Sequence, residues 1–274
     1  MKLAIQHHLV PGESLSEKFE RAAAFGLDGV ELTAWGLPRP FAEEHEAIER
    51  AKRASGLPVS SLCTMRDDDF VHPDPEERVK RFEKLATVLR FADATGAAGI
   101  IGLPIRQPLA MPDLSPWADT RRVTTELTTR ILAEAIAQTE GVRATVFLEP
   151  LNRYETKYLN TVAHGAELCR AVASPRVRIM ADLYHMNIEE ADPAASLAEA
   201  GDLVGHVHLA DSNRRLPGHG HTDFVRPFRA LQKAGFAGWF ALECMVTGDP
   251  EETIPACVRF LRDGWRRAEE TEHA

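Results

Sequence analysis

Eight short apolar runs punctuate the chain: Leu3 to His8, Asp28 to Thr33, Val59 to Thr64, Ala98 to Ile105, Ala144 to Leu148, Val177 to Ala181, Leu203 to Leu209 and Trp239 to Cys244. They are largely continuous rather than alternating, the pattern of strands covered on both faces. Between them lie longer stretches that read as helices. Ser14 or Ser16 opens the first, which stops at Gly26, and Phe41 to Ser55 is stopped by Gly56 and Pro58. The third has Pro75 in its first turn and ends before Gly96. The others run from about Trp117 to Glu140, Thr161 to Val172, Pro193 to Ala200, Asp223 (as cap) to Ala234, and Pro250 to Ala268. Strict alternation of strand and helix predicts an α/β fold of parallel strands joined by right-handed crossovers. Eight such units close into a (β/α)8, or TIM, barrel. A doubly wound open sheet is the alternative, but no glycine-rich phosphate turn follows a strand. No linker interrupts the rhythm, so residues 1–274 are expected to form a single barrel domain.

Length agrees: 274 residues suit a barrel of about 250 better than one ordinary domain. A formal net charge of −9 argues against a nucleic-acid partner, which calls for a basic footprint. No apolar run approaches the roughly 20 residues of a membrane span. Met1 to Leu9 lacks the pattern of a secretion signal, which leads to an expected cytoplasmic location. The four cysteines, Cys63, Cys169, Cys244 and Cys257, have no CxxC spacing and are expected as buried thiols.

The chemistry gathers where strands end. Four successive runs finish in a side chain able to bind metal: Glu149, Asp182, His208 and Glu243. In a barrel of this kind the C-terminal strand ends converge on one face, so residues far apart in sequence become neighbours. A lone acid there could cap a loop or pair with an arginine. Three carboxylates together repel unless a cation or protons compensate. Three oxygens and one imidazole nitrogen suit Mn²⁺, Mg²⁺ or Co²⁺ better than a structural zinc, which favours thiolates. Cys244 follows Glu243 and should point away. His206, one step deeper than His208 on the same face, reads as a core histidine. His7 and His8 border the mouth or face solvent. Asp223 reads as a helix cap, and His219 and His221 as loop hydrogen bonders. Trp35 and Trp117 either wall a substrate or pack in the core. Arg66, Arg106, Arg214 and Arg215 lie near strand ends and leave a phosphorylated or carboxylated ligand open.

Four segments, in order, carry a family resemblance: LEPLNRYE, ADLYHMN, HVHLADSNRRLPGHG and ALEC. Through them the whole chain resembles the xylose-isomerase-like barrel superfamily of sugar isomerases and epimerases. Within it the ketose 3-epimerases (the tagatose and allulose epimerases) and the hydroxypyruvate isomerases are most similar. The resemblance implies that Glu149, Asp182, His208 and Glu243 hold one divalent metal, Mn²⁺ first. It implies that Glu149 and Glu243 double as the acid/base pair, deprotonating and reprotonating an α-hydroxyketone through an enediolate that the metal stabilises. It also implies that Glu155, His185 and Arg214 bind the sugar substrate, and that the protein is a homo-oligomer, a dimer or tetramer. Inosose isomerases and dehydratases and dehydroshikimate dehydratases share these motifs, so a dehydratase stays open, as does a barrel that only binds sugar. Abasic-site endonuclease relatives use a three-metal cluster with further histidines, for which the early strands offer no convincing set.

Overall fold

The structure, a computed structural model, describes residues 1–34, 40–64, 71–102 and 111–270. Its strands are β1 (Lys2–Gln6), β2 (Gly29–Thr33), β3 (Val59–Cys63), β4 (Gly99–Gly102), β5 (Thr145–Leu148), β6 (Val177–Asp182), β7 (Val204–Leu209) and β8 (Trp239–Leu242). They form a closed barrel in sequence order, every pairing parallel, with β8 returning to β1 through Lys2↔Trp239 to Ile5↔Leu242. The outer layer holds α1 (Leu15–Ala24), α2 (His45–Ser55), α3 (Pro75–Thr95), α4 (Thr120–Gln138), α5 (Val162–Val172), α6 (Leu183–Glu189), α7 (Pro193–Ala200), α8 (Val225–Lys233) and α9 (Pro250–Glu270).

Local chemistry starts and stops these helices. Ser14 caps α1 by accepting from Glu17 N–H, and Asp74 caps α3 with Pro75 at its first position. Gly56 and Gly96 end α2 and α3 in the left-handed conformation, at φ 74° and 75°. Two boundaries differ from the pattern. Asp119 accepts from Arg122 N–H, so α4 begins at Thr120 and leaves Trp117 outside it. Asp223 does receive Val225 N–H, at 2.9 Å, but Phe224 intervenes and is the residue at the cap position. The first strand ends at Gln6, and His7–Leu9 form a single 3₁₀ turn. Trp35, Arg66, Arg106 and the end of the fourth run lie outside the described residues.

Strand periodicity sorts the core into two parts. Outward side chains pack under the helices in one large cluster that includes Phe19, Leu89, Leu132, Tyr158, Phe228 and Leu261. Each large side chain buried there contributes about 1.5–3 kcal/mol. Inside the barrel the filling is different. A small plug of Cys63, Ile101, Phe147 and Met180 occupies it, and polar groups lie beside it: Gln6, Glu31, Ser61, His206 and His208, all at most 1% exposed. Close strand approach demands glycine at Gly99, where a Cβ would lie 2.1 Å from the carbonyl oxygen of Thr145. Among the described residues, no helix is long and apolar enough to cross a membrane.

Candidate metal centre and its pocket

Parallel register brings four strand ends to one point. Asp182, the last residue of β6, pairs with His208 on β7, and His208 pairs with Ala241 on β8. Glu243 lies two residues beyond Ala241 and so shares its inward face. Glu149 follows the last residue of β5. One ligand-type atom from each of Glu149, Asp182, His208 and Glu243 lies within 4.8 Å of the others. Three are buried and Glu243 is partly open to the pocket.

Charge is crowded here. Burial, together with the nearby Glu243 and Asp182, pushes the Glu149 carboxyl well above its ordinary range. Burial acts in the same sense on Glu243, but the His208 and Arg214 cations outweigh it and hold Glu243 at about 2. Burial alone would make His208 less basic. Glu31 on one side and Glu243 on the other raise it well above its usual value. Without an ion, then, the proton of the Glu149–Glu243 pair resides on Glu149. Asp182 divides its oxygens: Oδ1 accepts from Tyr184 N–H at 2.7 Å and His185 N–H at 3.4 Å, capping α6. Its Oδ2 is buried and has no hydrogen-bond partner. A buried oxygen left open amid two further carboxylates and an imidazole is a donor set that could hold a divalent metal ion.

Beside the cluster, His185 is set as a donor. Its Nδ1 receives the Asn152 backbone N–H at 3.2 Å and the Asn152 amide at 2.8 Å. A backbone N–H can only donate, so Nδ1 is the acceptor and Nε2 carries the hydrogen in the neutral ring. The amide orientation agrees, because Asn152 Oδ1 accepts from Tyr154 N–H. Nε2 stands 3.7 Å from both Glu149 and Asp182, too far for a hydrogen bond to either. Arg214 completes this wall. Its guanidinium lies 3.2 Å from Glu155, 3.5 Å from Glu243 and 4.7 Å over the Tyr184 ring. The arginine has φ 59°, a left-handed conformation unusual for a side chain of this size. The loop carrying it is tied by Asp211, which accepts from Ser212, Gly218 and Thr222 N–H groups.

The seven residues proposed for the metal and the substrate therefore gather in one connected cluster. Others go elsewhere. His219 and His221 are exposed in the β7–α8 loop. Cys244 is buried, and burial pushes its thiol up to about 12, which makes it an inert group. Trp117 is 81% exposed and is not a core residue. His8 sits beside Thr33, Nδ1 to Oγ1 at 3.2 Å; burial lowers its pKa, and Glu243 is the charge that most opposes this. Two residues escaped the sequence reading. Asn152 sits between two motif residues that drew attention, and nothing in its type marks it. Glu31 is an acid inside the apolar run DGVELT, a visible signal, and it lies 2.9 Å from Nε2 of His208.

Known proteins share this architecture. The sequence model described as Xylose isomerase-like TIM barrel matches residues 19–264. The 3-dehydro-D-guloside 4-epimerase of Escherichia coli (strain K12) is 31% identical, over 96% of this chain and 99% of its own. The D-psicose 3-epimerase of Enterocloster bolteae is 36% identical, over 89% of this chain and 80% of its own. The crystal structure of apo 3-keto-D-glucoside 4-epimerase from E. coli superposes with a TM-score of 0.82 at 28% identity, covering 96% of this chain and 99% of that one. With the family pattern spanning most of its length and relatives of this identity, the chain belongs to the xylose isomerase-like TIM barrel family.

Proposed function

We propose that the protein is a divalent-metal-dependent sugar epimerase that inverts a carbon next to a ketone, first of all C3 of a ketose. The observation that carries this is the meeting of two carboxylates, Glu149 and Glu243, from the ends of β5 and β8, in one cluster that could also hold a metal ion. Inversion needs a base on one face of the substrate and an acid on the other. Glu149, Asp182, His208 and Glu243 are the proposed ligands, with Mn²⁺ first and Mg²⁺ or Co²⁺ as alternatives. When bound, the ion supplies Lewis-acid stabilisation to the negative charge that develops on the substrate oxygens.

Every other task belongs to side chains. One glutamate takes the proton from the carbon beside the carbonyl, leaving an enediolate. The second returns a proton to the opposite face. His185, whose Nδ1 accepts from Asn152 and whose Nε2 faces Glu149 and Asp182, donates from Nε2 to a substrate oxygen. Arg214, braced by Glu155 and Tyr184, binds another oxygen and offsets carboxylate charge. Glu155 keeps that guanidinium in place. We further propose a dimer or tetramer working in the cytoplasm, which sedimentation and fractionation test.

A specific observation favours a second substrate reading. The E. coli relative matched along almost its full length is named as a 4-epimerase of a 3-dehydro sugar glycoside, whereas others are named 3-epimerases of ketoses. Both names describe inversion next to a ketone. The test is metal-reconstituted protein in D₂O with free ketoses, 3-keto glycosides, hydroxypyruvate and inosose, followed by NMR. Deuterium at C3 of a ketose, with its C3 epimer appearing, supports the first reading; deuterium at C4 of a keto glycoside supports the second. Aldose or tartronate semialdehyde formation moves the chemistry to isomerisation, and water loss to dehydration. Glu149→Gln and Glu243→Gln should each abolish exchange, and full exchange in both would overturn the acid/base pair.

A further inference from the structure

The interior of the barrel below the proposed ligands is organised around one anion. Glu31, in the middle of β2, is wholly buried. Its Oε1 accepts from the Gln6 amide at 2.9 Å and lies 2.9 Å from His208 Nε2. Its Oε2 accepts from the Ser61 hydroxyl at 2.6 Å and lies 3.0 Å from His206 Nε2. Three strands, β1, β3 and β7, thus send polar groups to one carboxylate on β2. The register explains the meeting, for Gln6 pairs with Glu31 on one side. On the other side, a shift in register between Val30 and Leu32 leaves Ser60 and Ser61 together opposite it.

We infer that Glu31 is a positioning residue for the metal centre: it sets the proton and the rotation of His208, so that Nδ1 presents its lone pair to the ion. The inference rests on the metal-centre reading above. A carboxylate ringed by an amide, a hydroxyl and two imidazoles acts as an acceptor, so the ring nitrogen of His208 facing it carries hydrogen. In a neutral imidazole only one nitrogen does. The other, Nδ1, faces the cluster, 3.0 Å from Glu243 Oε2. This is the arrangement in which an outer carboxylate orients a ligating histidine and makes it a better donor. His206 serves the same anion and is held in turn by stacking on Phe147, with ring centroids 5.3 Å apart. Glu31, His206 and His208 also fall within 4.8 Å of one another, which could suggest a second ion. The glutamate oxygens already meet four donors, so the group is complete without one.

Two measurements test this. The first uses wild-type protein, ¹⁵N-labelled and loaded with Mg²⁺, and reads the histidine ring nitrogens by long-range ¹H–¹⁵N correlation. His208 should show hydrogen on Nε2; hydrogen on Nδ1 would overturn the inference whatever any variant does. The second is Mn²⁺ binding by competition with a fluorescent chelator. Glu31→Gln keeps the shape but presents an amide to the imidazole, and should weaken Mn²⁺ binding about 10- to 100-fold. Ser61→Ala removes a donor to Glu31 without touching His208 and should stay within about threefold of wild type, a control for general disturbance of the interior. Equal Mn²⁺ affinity in Glu31→Gln and wild type would overturn the inference while leaving the metal centre standing. Failure of wild type to bind Mn²⁺, Mg²⁺ or Co²⁺ would instead remove the metal-centre reading itself.

Discussion

Replacing Glu149 by glutamine should have opposite effects with and without a divalent ion. Three carboxylates and His208 bring their atoms within 4.8 Å. Two like unit charges at such a separation repel by about 3.5 kcal/mol at an effective dielectric constant of about 20. The metal-free protein escapes this by keeping Glu149 protonated, because burial and the neighbouring Glu243 and Asp182 raise its pKa well above the carboxylate range. Glutamine imitates that protonated acid. In EDTA, Glu149→Gln should therefore be at least as stable as wild type near neutral pH, and increasingly more stable as pH rises. The direction follows from linkage: the folded state holds a proton that the unfolded state has released, so wild type loses stability as pH climbs from the unfolded pKa through the raised folded one. With an ion bound the order reverses. An ion at 1,000 times its dissociation constant stabilises wild type by about 4 kcal/mol, or roughly 8 °C in a chain of this size. The variant, with an amide in place of an anionic ligand, should gain much less. Thermal unfolding at pH 6, 7.5 and 9, in EDTA and in MnCl₂, reads all of this. An equal loss of melting temperature for the variant in every condition would refute the reasoning and make Glu149 an ordinary packing residue.

Arg214→Lys keeps a cation but loses both the stack on Tyr184 and the planar fork toward Glu155; KM should rise about tenfold, the equivalent of ~1.4 kcal/mol. Mn²⁺ affinity should stay unchanged, so a parallel loss of metal binding would count against a substrate role. His164 is buried, donates toward the Tyr158 carbonyl, and has its pKa lowered to about 4 by burial and then by Arg121. Its contribution is complete above the unfolded value of 6.5 and is lost as pH falls toward 4, so wild type should lose about 2 kcal/mol more than His164→Gln between pH 7.5 and 5. Urea unfolding at the two pH values measures this, and parallel curves would reject it. Gly99→Ala places a methyl group 2.1 Å from a backbone oxygen and 2.7 Å from the Phe147 ring. It should cost about 3 kcal/mol or more in urea unfolding, since backbone cannot rotate aside.

The barrel was legible because each apolar run carried its own evidence, and eight of them in alternation with helices leave few topologies. The site was legible for a related reason: parallel strands deliver their ends to one face whatever loops join them. Glu31 was not, although the acid in DGVELT is plain to see. Its importance depends on depth within the barrel and on the register of β2 against β1 and β3, which are tertiary facts. The sequence points Asp182 to the metal alone, yet one of its oxygens caps α6, a seven-residue helix that no pattern announces. Asn152 illustrates a third limit. Which ring nitrogen of His185 bears hydrogen is decided by the direction of one backbone N–H, and sequence carries no such direction.

The buried anion also has a place in time. Glu31 leaves the ribosome 177 residues before His208, the imidazole it will share. At 5–20 residues per second that is a wait of roughly 9–35 s. A nascent half-barrel of the early strands that closed over Glu31 in the interval would entomb a charge with neither histidine present, at a cost of several kcal/mol. The polar interior therefore penalises early collapse of the N-terminal half. It ties completion of the fold to the arrival of the strands that bring the remaining chemistry.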